Sequence, residues 1–173
     1  MKKCLIVVDF QNDFVDGALG FNGAEKLDQI IENKIKDYLI NNQDILYTLD
    51  THYDNYLETQ EGKRLPIIHC IDNTKGHEVY GSTGKYLKDA KKVFKKNTFG
   101  SLELGNFLKD KDYDEIEIAG LVTNMCVISN AIIAKSALPE ARIVVDKNAS
   151  LSFDKDLHNK TLDVLKGMQV DII

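Results

Sequence analysis

The chain has 173 residues, 43% hydrophobic and 28% charged, with a formal net charge of -5. That length predicts one domain (1–173) able to bury roughly 70% of its unfolded surface, and the acidic balance argues against a nucleic-acid or anionic membrane partner. No run approaches the about 18 apolar residues of a membrane-spanning helix, and the three cysteines, odd in number and unpatterned, point to a reducing cytoplasm rather than a disulfide framework.

Met1-Lys2-Lys3 followed by Cys4 to Val8 has the outline of a signal peptide, but the apolar run is too short and Asp9 stands where a cleavage site would need small residues. Cys4 to Val8 instead reads as a central parallel strand covered on both faces. The polar stretch Asp9 to Phe14 follows, where open α/β sheets place their ligands. Asn22, with Glu25 three residues on, predicts a capping box. Leu27, Ile30, Ile31, Ile35, Tyr38 and Leu39 then mark one buried helix face. Ile45 to Asp50 is a second strand, again ending in an acid.

Thr51 to Lys92 is irregular and holds three of the four histidines, with strand character at Ile67 and Ile68 and a helical patch at Tyr86 to Ala90. A stretch this long without clear periodicity is functional or disordered. Val93 to Lys96 is a third strand, and Ser101 caps a helix carrying Leu104, Phe107 and Leu108. Ile116 to Ala134 reads as strand, tight turn and helix: β-branched residues first, a break at Gly120, then Val127, Ile128, Ala131 and Ile132 at helical spacing. A strand at Arg142 to Asp146, a helix with Leu157, Thr161, Leu162 and Leu165, and a strand at Val170 to Ile173 complete the alternation. The pattern predicts an α/β fold: a doubly wound, mainly parallel six-stranded sheet with helices on both faces.

Three strands end in chemically useful residues, Asp9, Lys96 and Cys126, and C-terminal strand ends meet along one sheet edge. A cysteine at a helix mouth gains thiolate character from the unpaired N–H groups and the dipole there. An ammonium stabilises that thiolate further, and a carboxylate can take up and return a proton. Taken singly, Asp9 also reads as a turn residue, Lys96 as a solvated strand end and Cys126 as a small core hydrophobe. Asp50 and His52 project to the same side of an extended chain, and with His69 they form an oxygen and nitrogen set suited to zinc, iron or manganese. His77 reads as solvated, His158 has no partner at any regular spacing, Cys70 packs beneath the histidine loop, and Phe14 and Phe99 are core residues or pocket walls.

LIVVDFQNDF, KNTFGSL and GLVTNMCV, in this order over nearly the whole chain, resemble the three signature segments of the isochorismatase-like cysteine hydrolases, which include nicotinamidases. The resemblance implies a catalytic triad of Asp9, Lys96 and Cys126, with Lys96 chosen over Lys95 because the family's lysine stands three residues before the aromatic, here Phe99. It implies a cis peptide at Leu121–Val122, an oxyanion hole formed by the N–H groups of Val122 and Cys126, and Phe14 and Phe99 as walls against a flat ring. It also implies a divalent metal, zinc foremost with iron or manganese as alternatives, on Asp50, His52, His69 and an intervening residue. This chain has no histidine between His52 and His69, so Glu61 takes that place, with Glu58 as its rival and a water-completed three-residue site as the third option. The implied activity is hydrolysis of a small carboxamide, nicotinamide first, through a thioester, by a homo-oligomer with no nucleic-acid or membrane partner. The alternatives are another amide or carbamoyl substrate, or a non-catalytic family member.

Overall fold

A computed structural model describes residues 1–173. Its centre is a six-stranded sheet of β1 (Lys3–Val8), β2 (Asp44–Asp50), β3 (Lys92–Lys96), β4 (Glu115–Leu121), β5 (Arg142–Leu151) and β6 (Asp171–Ile172), in the order β3-β2-β1-β4-β5-β6. Every pairing is parallel, so the sheet is wholly rather than mainly parallel.

The alternation of β1 divides the core in two. Cys4, Ile6 and Val8 face a layer made by α4 (Leu102–Leu108), α5 (Ile128–Ala137) and α6 (Lys155–Gly167). Leu5 and Val7 face the opposite layer, where α2 (Leu27–Ile40) buries Leu27, Ile31, Ile35 and Tyr38 and the short α1 (Asn12–Val15) buries Val15. Both faces of a central strand are thereby dry, which is why its sequence is a continuous apolar run.

Local signals carried most boundaries. Ser101 caps α4 by accepting from the Leu104 N–H at 3.1 Å. The Asn22 capping box does not form: Glu25 Oε2 reaches back to the Gly23 N–H at 2.9 Å, Gly23 takes a positive φ of 96°, and a 3₁₀ turn precedes α2. Ile67 and Ile68 are exposed coil, and the patch near Tyr86 is the 3₁₀ segment Thr83–Asp89. β5 runs five residues past the expected Asp146, because a register shift between Ile118 and Gly120 lets Ser150 and Leu151 pair with β4. On α6, His158 is buried, whereas Leu157 is exposed.

The order β3-β2-β1-β4 aligns four strand ends, and the chain reverses its winding between β1 and β4, where open α/β sheets form a crevice. Gly120 closes that end of β4. Its φ is +126°, and a Cβ there would lie 2.0 Å from the Val8 carbonyl oxygen. Gly120→Ala should therefore destabilise the fold by more than about 3 kcal/mol, read as a shifted urea-unfolding midpoint.

Candidate active site

Asp9 follows β1 with a φ of 45° and is fully buried. Its Oδ1 accepts from Thr48 Oγ1 at 2.6 Å, and its N–H donates to the Thr48 carbonyl. β2 thus fixes both ends of the residue. Lys96 ends β3 and pairs in register with Asp50 of β2. Its side chain lies buried with Nζ 2.5 Å from Asp9 Oδ2, 3.5 Å from Asp50 Oδ1 and 3.6 Å from Cys126 Sγ, and it donates to the Thr98 carbonyl at 2.9 Å. Lys95, one residue earlier, points the other way and pairs with Asp72 on the surface. The three strand-end residues therefore meet. Asp9 Oδ2 has no hydrogen bond besides its ionic contact with Lys96, which leaves a lone pair for a proton.

Cys126 sits in a π-helical turn, Thr123–Val127, that follows the cis peptide Leu121–Val122 and leads into α5. Burial pushes the Cys126 thiol well above its ordinary value, Asp9 adds to the rise, and Lys96 opposes it. The direction runs contrary to the expectation from a helix mouth: burial favours the thiol where the dipole would favour the thiolate. Burial also raises Asp9, against the pull of Lys96 and with the push of Asp50. Lys96 stays above its usual value: burial works against its charge, but Asp9, Cys126 and Asp50 prevail.

Asp50 connects this cluster to a second one. Its Oδ2 lies 3.0 Å from His52 Nε2 and 3.3 Å from His69 Nε2, and Glu61 Oε1 lies 3.6 and 3.8 Å from those nitrogens. The four ligand atoms are all within 4.8 Å of one another. His69 Nδ1 is committed to the Ile67 carbonyl at 2.7 Å, which turns Nε2 toward the cluster, as ligating imidazoles are commonly held. Burial opposes the charge on Asp50, yet hydrogen bonds from His52 and His69 and the charge of Lys96 hold it well below the usual carboxylate range. Glu61 enters from α3 (Gln60–Arg64), whose cap Thr59 accepts from the Gly62 N–H, while Glu58 is exposed outside the cluster. The donor set, two imidazoles and two carboxylates facing a common point, fits a divalent cation.

Three buried side chains that support the site were given no role by the sequence reading. Gln11 donates to the Asp50 and His77 carbonyls and accepts from the Asp50 N–H, which fixes the end of β2. His77, expected in solvent, is buried with Nε2 2.8 Å from Thr51 Oγ1. His158 is buried with Nδ1 2.8 Å from Thr123 Oγ1 in the cysteine turn. Burial lowers both imidazoles below their ordinary values, so each serves as a neutral hydrogen-bonding group. Cys70 is fully buried directly after His69.

A cavity of about 370 Å³ opens over both clusters, with Asp50, Glu61, His69 and Cys126 on its lining. Phe14, Phe99, Val122, Met125, Phe21 and Phe153 supply its apolar walls. Phe14 packs edge-on against His69 with ring centroids 5.6 Å apart, whereas Phe99 is 43% exposed at the rim.

Residues 3–173 match the isochorismatase domain family. A crystal structure of the nicotinamidase/pyrazinamidase from Bacillus subtilis superposes with a TM-score of 0.88 at 28% identity, covering 99% of each chain. The nicotinamidase/pyrazinamidase of Mycobacterium tuberculosis is 26% identical over 190 residues, 99% of this chain and 98% of that one. A pyrazinamidase of Pyrococcus horikoshii, crystallised in complex with zinc, shares the fold at a TM-score of 0.86 and 23% identity, over 100% of this chain and 99% of that one. The family match spans all but the first two residues, and the chain belongs to the isochorismatase family.

Proposed function

We propose that the protein is a cysteine-dependent amidohydrolase that converts nicotinamide, or a closely similar small aromatic carboxamide, to the acid and ammonia. The observation that carries this reading is that buried Lys96 contacts both Asp9 and Cys126, and that Cys126 lines an apolar cavity whose neighbouring wall is a metal-capable donor set. Similarity to nicotinamidases over the full length supports the substrate class.

In this mechanism Asp9 takes the thiol proton as Cys126 Sγ attacks the amide carbon. Lys96 offsets the negative charge that the proton leaves on sulfur. The Val122 and Cys126 N–H groups receive the oxyanion, each donor of this kind being worth about 3 kcal/mol. Asp9 returns its proton to the departing nitrogen, and ammonia leaves a thioester. Asp9 then deprotonates a water that attacks the thioester carbon, and the acid departs as the thiol re-forms. Phe14 and Phe99 flank the flat ring. Asp50, His52, Glu61 and His69 would hold a divalent metal, zinc foremost, with iron or manganese compatible with the same donors. Such an ion would supply an electrophilic site for a ring nitrogen, a positioning role rather than an acid–base one. The reading extends to a small-molecule amide as partner, no nucleic-acid or membrane partner, and a homo-oligomer in a reducing cytoplasm. Three free cysteines support the compartment, the acidic net charge the exclusions, and exposed Leu57, Ile67, Ile68 and Leu102 the assembly.

Cys126→Ala should lower ammonia release from nicotinamide by more than about a thousandfold while leaving the far-UV spectrum intact. Retained turnover would end the covalent scheme. Stripping the purified protein with a chelator should abolish most activity, and re-adding zinc at a hundred times its Kd should raise stability by about 2.7 kcal/mol in thermal melts. His69→Ala should show neither response. Lys96→Met leaves Asp9 and Asp50 without their ammonium and should cost about 3–5 kcal/mol at pH 8. Asp9 binds a proton more tightly folded than unfolded, so the deficit relative to the parent should shrink as pH falls and Asp9 is neutralised. Urea unfolding of both proteins at pH 8 and pH 6 tests the sign.

A further inference from the structure

Asn130 lies on α5, one helical turn beyond the nucleophile turn, and is fully buried. Its Nδ2 donates to the Cys126 carbonyl at 2.8 Å and to the Phe99 carbonyl at 3.0 Å, and its Oδ1 accepts from the Ser101 N–H at 3.0 Å. The amide orientation follows from its partners, since a backbone N–H can only donate and two carbonyls can only accept. One side chain therefore bridges the turn that carries the sulfur and the segment that carries Thr98 and Phe99.

That segment governs two parts of the site. The Thr98 carbonyl accepts from Lys96 Nζ at 2.9 Å, and Phe99 lines the cavity. Next to them Gly100 packs so closely on α5 that a Cβ would lie 2.7 Å from Ile133 Cδ1. The Lys96 to Cys126 separation of 3.6 Å thus spans two chain segments that Asn130 clamps together.

We infer that Asn130 is a positioning residue for the hydrolysis proposed above: it holds the Cys126 turn in register with Lys96 and fixes Phe99 as a wall against the substrate ring. It touches neither substrate nor reacting atoms. Its two donated bonds do separate jobs, the one to Cys126 setting nucleophile geometry and the one to Phe99 setting ring binding.

Asn130→Ala, Asn130→Ser and a control, Ala134→Gly on the same helix, test this against the parent protein. A serine at 130 can still donate to the carbonyl four residues earlier, that of Cys126, but is too short to reach Phe99. Two readouts apply: the rate of Cys126 alkylation by iodoacetamide, followed by peptide mass, and kcat and KM for nicotinamide. Asn130→Ala is expected to slow alkylation at least threefold and to lower kcat at least tenfold. Asn130→Ser is expected to keep both within threefold while KM rises at least threefold. Ala134→Gly is expected to lower the melting temperature yet hold alkylation and kcat within twofold. The inference is overturned if alkylation of Asn130→Ala slows less than threefold, or if Ala134→Gly loses as much reactivity at the same melting temperature. Should Asn130→Ala fail to fold, an unchanged KM in Asn130→Ser overturns it instead. Alkylation needs no substrate, so a protein inactive on nicotinamide would sink the substrate assignment while the alkylation comparison still decides the role of Asn130.

Discussion

Lys96 places one positive charge in a buried space shared by Asp9, Asp50 and Cys126, and the rest of the site is arranged around that charge. An ammonium taken out of water without partners would lose its proton rather than remain ionised. Here two carboxylates from adjacent strands keep it charged, and that arrangement requires β3, β2 and β1 to lie side by side in this register. Slipping β3 by one residue would send Lys95 inward and Lys96 outward, with every apolar neighbour reversed as well. The strand pairing that buries the core is therefore the same pairing that assembles the chemistry.

Asp50 has one oxygen on each side of the site. Oδ1 faces Lys96, and Oδ2 faces both imidazoles of the donor cluster. Its charge is shared, so a cation among His52, His69 and Glu61 would compete with Lys96 for it. Gln11 protects this arrangement by satisfying both backbone groups of Asp50, where an unpaired buried N–H would cost about 1–3 kcal/mol.

The strands, the Ser101 cap and the meeting of Asp9, Lys96 and Cys126 were legible because each rests on a local rule: apolar runs, capping chemistry, and the convergence of strand ends in parallel sheets. The inward choice of Lys96 over Lys95 followed from strand alternation combined with the family spacing. His77 and His158 were not legible, since Thr51 and Thr123 lie 26 and 35 residues away from them and no periodicity connects such pairs. Asn130 was hidden for the same reason: read locally, it is a polar residue in a helix, and only the docking of the Phe99 segment on α5 gives its amide three partners. The Asn22 cap failed on a competing local bond, the reach of Glu25 to Gly23. Burial of polar groups is decided by tertiary packing, and single-sequence patterns are weakest there.

At Cys126 two opposing effects meet. A helix start offers about 0.3–1 kcal/mol to an adjacent anion when exposed, whereas full burial can move an ionisable group by up to about 3–5 pKa units. Desolvation wins at Cys126, and the nearby Asp9 charge reinforces it. The same burial raises Asp9, so donor and acceptor of the proton move in the same direction and transfer between them remains feasible. Burial that favours the thiol lowers the share of thiolate, the form that oxidants and alkylating agents attack. In the hydrolysis proposed above, the nucleophilicity of Cys126 is generated at the moment of attack by Asp9 and Lys96 together, and these reach the sulfur's surroundings from separate strands.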